Sequence, residues 1–273
     1  MTHPEAQKTG SLSKEQIDHF HREGYLIVRG LFSSEEVADI ERTFMDMHAG
    51  GPIPDCFHPV PADQADGDPL KLYPRMLYPH RVNDKVRQYM IHPAVMSAMA
   101  DLMGEEPLAA QSMFYFKPPG ARGQALHQDN FYLKVEPGTC IAAWAAIDPA
   151  DQENGGLVVV PQTNDIDIQC PHTADMDASF VAEEVMVPEG KRIVPADLGA
   201  GDVLFFNGST IHGSYPNRSH DRFRRSFICH YVGASTTRIA RDDLHRYNGE
   251  IVYREQNGDA GPCGNPFDGV EPH

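Results

Sequence analysis

The sequence predicts a mainly β domain with flanking helices, a sandwich or barrel with the helices packed outside. Three observations carry this reading. Helical caps and helical apolar spacing are confined to the chain before Gly104. From residue 108 to 232, short apolar runs alternate with Gly-, Pro- and Asn-bearing turns, the pattern of short strands. No composition break, internal repeat or low-complexity tract interrupts the 273 residues, so one domain spanning 1–273 is expected.

Residues 1–12 read as a loose arm. Ser13-Lys14-Glu15-Gln16 is a capping box that opens a helix, and Gly24 ends it. Tyr25 to Val28 is a short apolar strand. Ser33-Ser34-Glu35-Glu36 opens a second helix, with Val37, Ile40, Phe44 and Met47 at helical spacing. Residues 50–69 hold five Pro and read as a loop, and 50–85 as a lid region. His92-Pro93 begins a helix with Val95, Met96, Met99 and Leu102 as its buried stripe, stopped by Gly104. Strands follow at Met113 to Phe116, Thr139 to Ile147, Leu157 to Val160, Asp202 to Phe206 and Ser226 to Val232. Residues 162–196 form a long polar insertion with weak strand signals, and 248–273 an irregular tail.

Lys and Arg number 23 against 39 Asp and Glu, a net charge of −16. Nucleic-acid and anionic-membrane surfaces call for clustered Lys and Arg, so neither partner is expected. A small anionic substrate stays open, because a local basic pocket would serve it. The five Cys form no CxxC pair and their number is odd, which favours reduced thiols and a cytoplasmic protein. No apolar leader and no run long enough to span a bilayer are visible. Oligomeric state is not readable.

The chemistry concentrates in His127-Gln128-Asp129. On a strand, His-x-Asp places both side chains on one face. Alone the pattern is weak, since an exposed strand end carries such residues too. His212 lies 83 residues after Asp129, and Arg224-Arg225-Ser226 begins 12 residues later. Two imidazoles and a carboxylate on one side of a metal are the ligand set of non-haem Fe(II) oxygenases. Arg224 and Ser226 share a strand face, and an Arg fork binds a carboxylate bidentately. An oxygenase using 2-oxoglutarate needs such a partner for the distal carboxylate.

With these residues placed, a resemblance emerges. LHQDNFYLKVEPGTCIAAWAAIDPADQENGGLVVVPQTN resembles the metal-binding segment of the phytanoyl-CoA dioxygenase family. GDVLFFNGSTIHGSYPNRSHDRFRRSFICHYV is similar to that family's second-His and Arg segment, and SMFYFKPPG to its strand upstream of the metal. The likeness covers residues 108–233 well and 13–35 weakly. It implies a double-stranded β-helix, a jelly-roll (cupin-like) barrel, with Fe(II) in its mouth. By this likeness His127, Asp129 and His212 would hold Fe(II), with 2-oxoglutarate and O2 as cosubstrates and succinate and CO2 as products. Arg224, helped by Ser226, would pair with the distal carboxylate, since Arg225 points to the opposite face of a regular strand. Lys117 and Gln111 match positions that face 2-oxoglutarate or the substrate, and Trp144 an aromatic near the site. The carboxylate at Asp129 points to hydroxylation of a small molecule, because halogenases of this type carry a small residue there.

Plainer readings stand beside these. Trp144 also suits the core of an apolar strand, and Lys117 beside Pro118 an exposed position. Phe131 and Tyr132 suit packing as well as a substrate pocket. His230, in phase with Arg224 and Ser226, reads as a buried structural His. The Tyr73-Pro74-Arg75 and Tyr78-Pro79-His80-Arg81 stretches read as solvated loop, and Asn154-Gly155-Gly156 as a structural turn. A zinc hydrolase could use the same three ligands, though it leaves Arg224 without a role. A catalytically idle jelly-roll ligand-binding protein would be marked by a lost ligand, and none is lost.

Overall fold

The computed structural model describes residues 11–240 and 243–257. Six helices occur in it: α1 (Lys14–Glu23), α2 (Ser34–Ala49), α3 (Pro69–Leu72), α4 (Asp84–Met90), α5 (Pro93–Met103) and α6 (Asp129–Leu133). The strands are β1 (Tyr25–Val28), β2 (Met76–Leu77), β3 (Pro107–Tyr115), β4 (Gln124–His127), β5 (Ile141–Ala146), β6 (Leu157–Val159), β7 (His172–Thr173) and β8 (Glu183–Glu184). They continue as β9 (Val194–Ala196), β10 (Val203–Asn207), β11 (His212–Ser214), β12 (Ser226–Gly233), β13 (Arg238–Ile239), β14 (Asp243–His245), β15 (Ile251–Tyr253) and β16 (Glu255–Gln256).

The expected caps form. Ser13 and Gln16, and again Ser33 and Glu36, satisfy each other's backbone N–H groups at the starts of α1 and α2. Gly24 closes α1 at φ 83°, and Gly104 closes α5 at φ 70°. An eight-stranded sheet runs β1-β10-β5-β12-β3-β14-β15, with β2 also on β3. A four-stranded sheet, β4-β11-β6-β9, faces it. The two form the jelly roll.

Strand alternation decides which side each residue serves. On β12, Phe227, Cys229 and Tyr231 join the helix-facing core with Phe20, Ile40, Phe44 and Met99. Ile228 points the other way, into the barrel with Trp144, Leu204, Phe206, Leu157 and Val159. The Phe44 and Phe114 rings stack at 3.9 Å and tie α2 to the sheet. Each such buried side chain contributes roughly 1.5–3 kcal/mol. A register shift between β12 and β3 at His230/Tyr231 leaves Ala110 as an extra residue, so Gln111 pairs His230 while Ala109 pairs Tyr231.

Four expectations change. The 50–69 loop contains ordered turns, including the 3-10 turn Ala62–Gln64. The Tyr78–Arg81 stretch is not a solvated loop, because Pro79 and His80 are buried. The tail contributes β15 to the large sheet, paired with β14. Cys56, Cys140 and Cys229 are free and buried, but Cys170 is disulfide-bonded, since an odd count does not forbid one bridge. Residues 1–10 of the arm, residues 258–273 of the tail, and Cys263 lie outside the described residues.

Candidate active site

His127 ends β4 and His212 begins β11, and the two are register partners across an antiparallel pair. Their rings sit 4.2 Å apart between centroids. Asp129 is not on that strand. β4 stops at His127, and Asp129 is the first residue of α6. Distant contacts bend the chain there. The Asn130 amide donates to the Gly208 carbonyl at 2.9 Å. The buried Gln128 side chain donates to the Ser209 carbonyl and accepts from the Gln169 amide, each at 2.8 Å. The expected shared face is therefore made by a strand end and a helix start rather than by one strand.

The ligand atoms of His127, Asp129 and His212 all lie within 4.8 Å of one another. Both rings are oriented the same way. His127 Nδ1 donates to the Ala125 carbonyl at 2.8 Å, and His212 Nδ1 to the Thr210 carbonyl at 2.9 Å. Each Nε2 therefore carries its lone pair toward Asp129 Oδ1, at 3.6 and 3.5 Å. The Gln124 amide donates to His127 Nε2 at 3.1 Å, consistent with that tautomer. Asp129 Oδ2 accepts from His230 Nε2 at 2.9 Å. Burial, reinforced by His212, lowers the His127 pKa to about 3 and keeps the ring neutral. Burial alone would raise the Asp129 carboxyl, but His212 and His230 outweigh it and hold the group ionised, well below the usual carboxylate range. Two imidazole nitrogens and one carboxylate oxygen, each with its other polar atom already engaged, fit divalent iron.

Beside this triad lies a buried cation. Arg224 is 3 % exposed. Its Nε donates to the Gly155 carbonyl at 3.0 Å, and one terminal nitrogen donates to Ser226 Oγ at 2.7 Å. Its guanidinium lies 5.1 Å from the centroid of the Trp144 ring. Burial lowers its pKa to about 10, which leaves it charged at neutral pH. Lys117, equally buried, donates to Ser214 Oγ at 2.8 Å. Burial first, and Arg224 second, push its amine well below the usual Lys range. Among the described residues, no carboxylate lies within 4 Å of either group. Arg225 faces outward to Asp148, at 2.6 Å, and to Glu41. Two buried basic groups without an acid make an anion site, which fits one carboxylate of 2-oxoglutarate.

Trp144 lines the metal-side cavity together with Met113, Tyr115 and Ile228. Gln111 pairs with His230 across β3 and β12 and donates to Tyr78 Oη at 2.9 Å. Ser214, two residues after His212 on the same strand, shares its face, a signal present in the sequence though absent from the expected site. Gly155 was expected only as part of a turn. Gly155 sits at φ +90°, and a Cβ there would meet Lys117 Cε at 2.7 Å. A second cavity, of about 350 Å³, adjoins the first through Tyr115 and Arg224 and is lined by Tyr73, Arg75, Phe116 and Phe180. Tyr73-Pro74-Arg75 thus faces a cavity, not open solvent.

A jelly roll holding two His, one Asp and a buried Arg in its mouth defines the class of Fe(II)- and 2-oxoglutarate-dependent oxygenases. The sequence profile of the phytanoyl-CoA dioxygenase (PhyH) family matches residues 20–226, and the chain belongs to that family. It is accordingly a dioxygenase that depends on Fe(II) and 2-oxoglutarate, with O2 as cosubstrate. It is 24% identical over 270 residues to the phytanoyl-CoA dioxygenase of Arabidopsis thaliana, covering 86% of this chain and 94% of that one. Its fold is similar to that of the epimerase SnoN in complex with Fe3+, alpha ketoglutarate and nogalamycin RO. That match has a TM-score of 0.67 at 20% identity and covers 95% of this chain and 92% of the other. It is also similar to EctD from S. alaskensis with 2-oxoglutarate and 5-hydroxyectoine. Here the TM-score is 0.66 at 19% identity, covering 97% of this chain and 88% of the other.

Proposed function

We propose that this chain is one dioxygenase domain that hydroxylates a small-molecule metabolite and releases succinate and CO2. The observation that carries the reading is the buried, acid-free Arg224–Lys117 pair beside the His127, Asp129 and His212 donors. His127, Asp129 and His212 hold the iron, which supplies O2 activation when bound. Arg224 binds the distal carboxylate of 2-oxoglutarate, with Ser226 fixing its fork and Trp144 packing under it. Lys117 and Ser214 complete the polar wall. Leu157, Phe206 and Ile228 exclude water from the reacting centre.

The substrate enters the adjoining cavity. Tyr73, Tyr115, Phe116 and Phe180 suit an apolar or aromatic body, and Lys71, Arg75 and Arg122 suit an anionic group. Asp129 favours hydroxylation over halogenation, because its carboxylate takes the position a halide would need. Among the described residues, no helix is long and apolar enough to cross a membrane. A cytoplasmic setting is read from the three buried free thiols, with the Cys170 disulfide the feature that pulls the other way.

A metabolite-library screen read out by succinate release tests the function. Substrate-stimulated, Fe(II)-dependent conversion of 2-oxoglutarate is the expected result. Full turnover in Asp129→Ala would overturn the ligand assignment, and hydrolysis without 2-oxoglutarate consumption would overturn the reaction class.

A further inference from the structure

A second cluster of metal-ligating side chains stands on the other face of β3. His80, in the 3-10 turn Pro79–Arg81, meets Asp243 and His245 of β14, and their ligand atoms lie within 4.8 Å of one another. Asp243 and His245 share a face of β14 by the two-residue period of a strand. The two imidazoles meet edge to face, with centroids 5.2 Å apart. The cluster packs against Ser112, whose neighbours in sequence, Gln111 and Met113, point to the active-site side.

Three of the four ring nitrogens of this cluster lack hydrogen-bond partners among the described residues. His80 is 1 % exposed and His245 is 3 % exposed. His80 Nε2 and both ring nitrogens of His245 are buried with no hydrogen bond among the described residues. Buried polar atoms are otherwise almost always paired, so orphaned nitrogens on two imidazoles that meet beside one carboxylate ask for a ligand. The surroundings resemble the supports of a metal site. His80 Nδ1 lies 2.6 Å from Ser112 Oγ, which fixes the ring and leaves Nε2 directed into the cluster. Arg81 holds both oxygens of Asp243, Nε to Oδ2 at 3.1 Å, yet a carboxylate keeps further lone pairs for a cation.

We propose that His80, Asp243 and His245 form a second, structural Zn2+ site that ties the His80 turn to the β14–β15 hairpin. Two imidazoles and one carboxylate suit zinc, which leaves its fourth position to water. The site does not depend on which residues hold the iron.

Metal content after gel filtration tests this in two backgrounds. Wild-type protein loaded with excess Zn2+ should retain about two equivalents, one per three-residue donor set, and H80A/H245A about one. H127A/H212A should retain about one equivalent, and adding H245A should remove it. In H127A/H212A, zinc should also raise the Tm, and Ser112→Ala should weaken zinc about tenfold. If H245A does not fold, D243N replaces it with little change in shape. A folded H127A/H212A protein that takes up no zinc would overturn the site. So would zinc retained by an H127A/H212A protein in which His80 and His245 are also replaced.

Discussion

Asp129 shows how much of this site rests on single hydrogen bonds. One of its oxygens faces the His127 and His212 imidazoles, and the other accepts from His230, 101 residues away in sequence. We therefore propose His230, buried as expected, as a positioning residue for the Asp129 carboxylate. His230→Ala is expected to weaken Fe(II) or Co(II) binding about 10- to 100-fold, read by titration, while His230→Gln restores part of the loss through its amide donor. Metal affinity unchanged in the Ala variant would reduce His230 to packing. The two neighbouring arginines give a sharper contrast. Arg224→Ala removes the buried cation and should raise the KM for 2-oxoglutarate by about 30-fold or more, from a loss of about 2–5 kcal/mol. Arg225→Ala breaks the pairs with Asp148 and Glu41 and should lower stability but leave that KM nearly unchanged. The reverse ranking would place the cosubstrate on the other face of the strand. The grouping of His127, Asp129 and His212 was legible in the sequence because few residue types offer metal-binding atoms, although the strand spacing held only for His127 and His212. The partner of His230 was not, because it depends on where α6 places Asp129.

At the scale of elements, the turn Asn154-Gly155-Gly156 does more than reverse the chain. Its Gly155 carbonyl anchors Arg224, and its missing side chain makes room for the Lys117 stem. Gly155→Ala meets a left-handed φ and a 2.7 Å contact at once. The expected outcome is a several-fold higher KM for 2-oxoglutarate with iron affinity retained, measured by steady-state kinetics and metal titration. Unchanged KM would mean that Lys117 and Arg224 adjust freely. Helices α1, α2 and α5 were readable because capping boxes and terminal Gly are local signals, and the structure keeps them at Ser13, Ser33, Gly24 and Gly104, whereas α3 and α4 were not read. The start of α6 was not readable, because the Gly208 carbonyl and the Ser209 and Gln169 backbone groups that bend the chain come from far along the sequence. The same holds for β7 and β8, two-residue strands that exist only because they pair with each other.

At the scale of the whole molecule, an acidic protein lines one cavity with basic side chains. The chain carries a net −16, yet Lys71, Arg75, Lys117, Arg122 and Arg224 line one cavity. Its single acid, Asp68, is paired with Arg122 at 2.9 Å. The two fields act at different ranges. In water, each net charge roughly 20 Å away acts with only about 0.2 kcal/mol on a unit charge, but many of them together repel a dianion appreciably. Salt at about 0.15 M cuts this repulsion to a range of about 8 Å, while contacts inside a buried site are screened far less. The affinity for 2-oxoglutarate should therefore improve, not weaken, as ionic strength rises from about 0.01 to 0.15 M, with KM falling several-fold. A neutral substrate should show no such trend. Steady-state KM for 2-oxoglutarate across a chloride series decides the matter. A KM that climbs steadily with salt would mean that exposed lysines and arginines at the lid, rather than the buried Arg224, dominate capture of the cosubstrate.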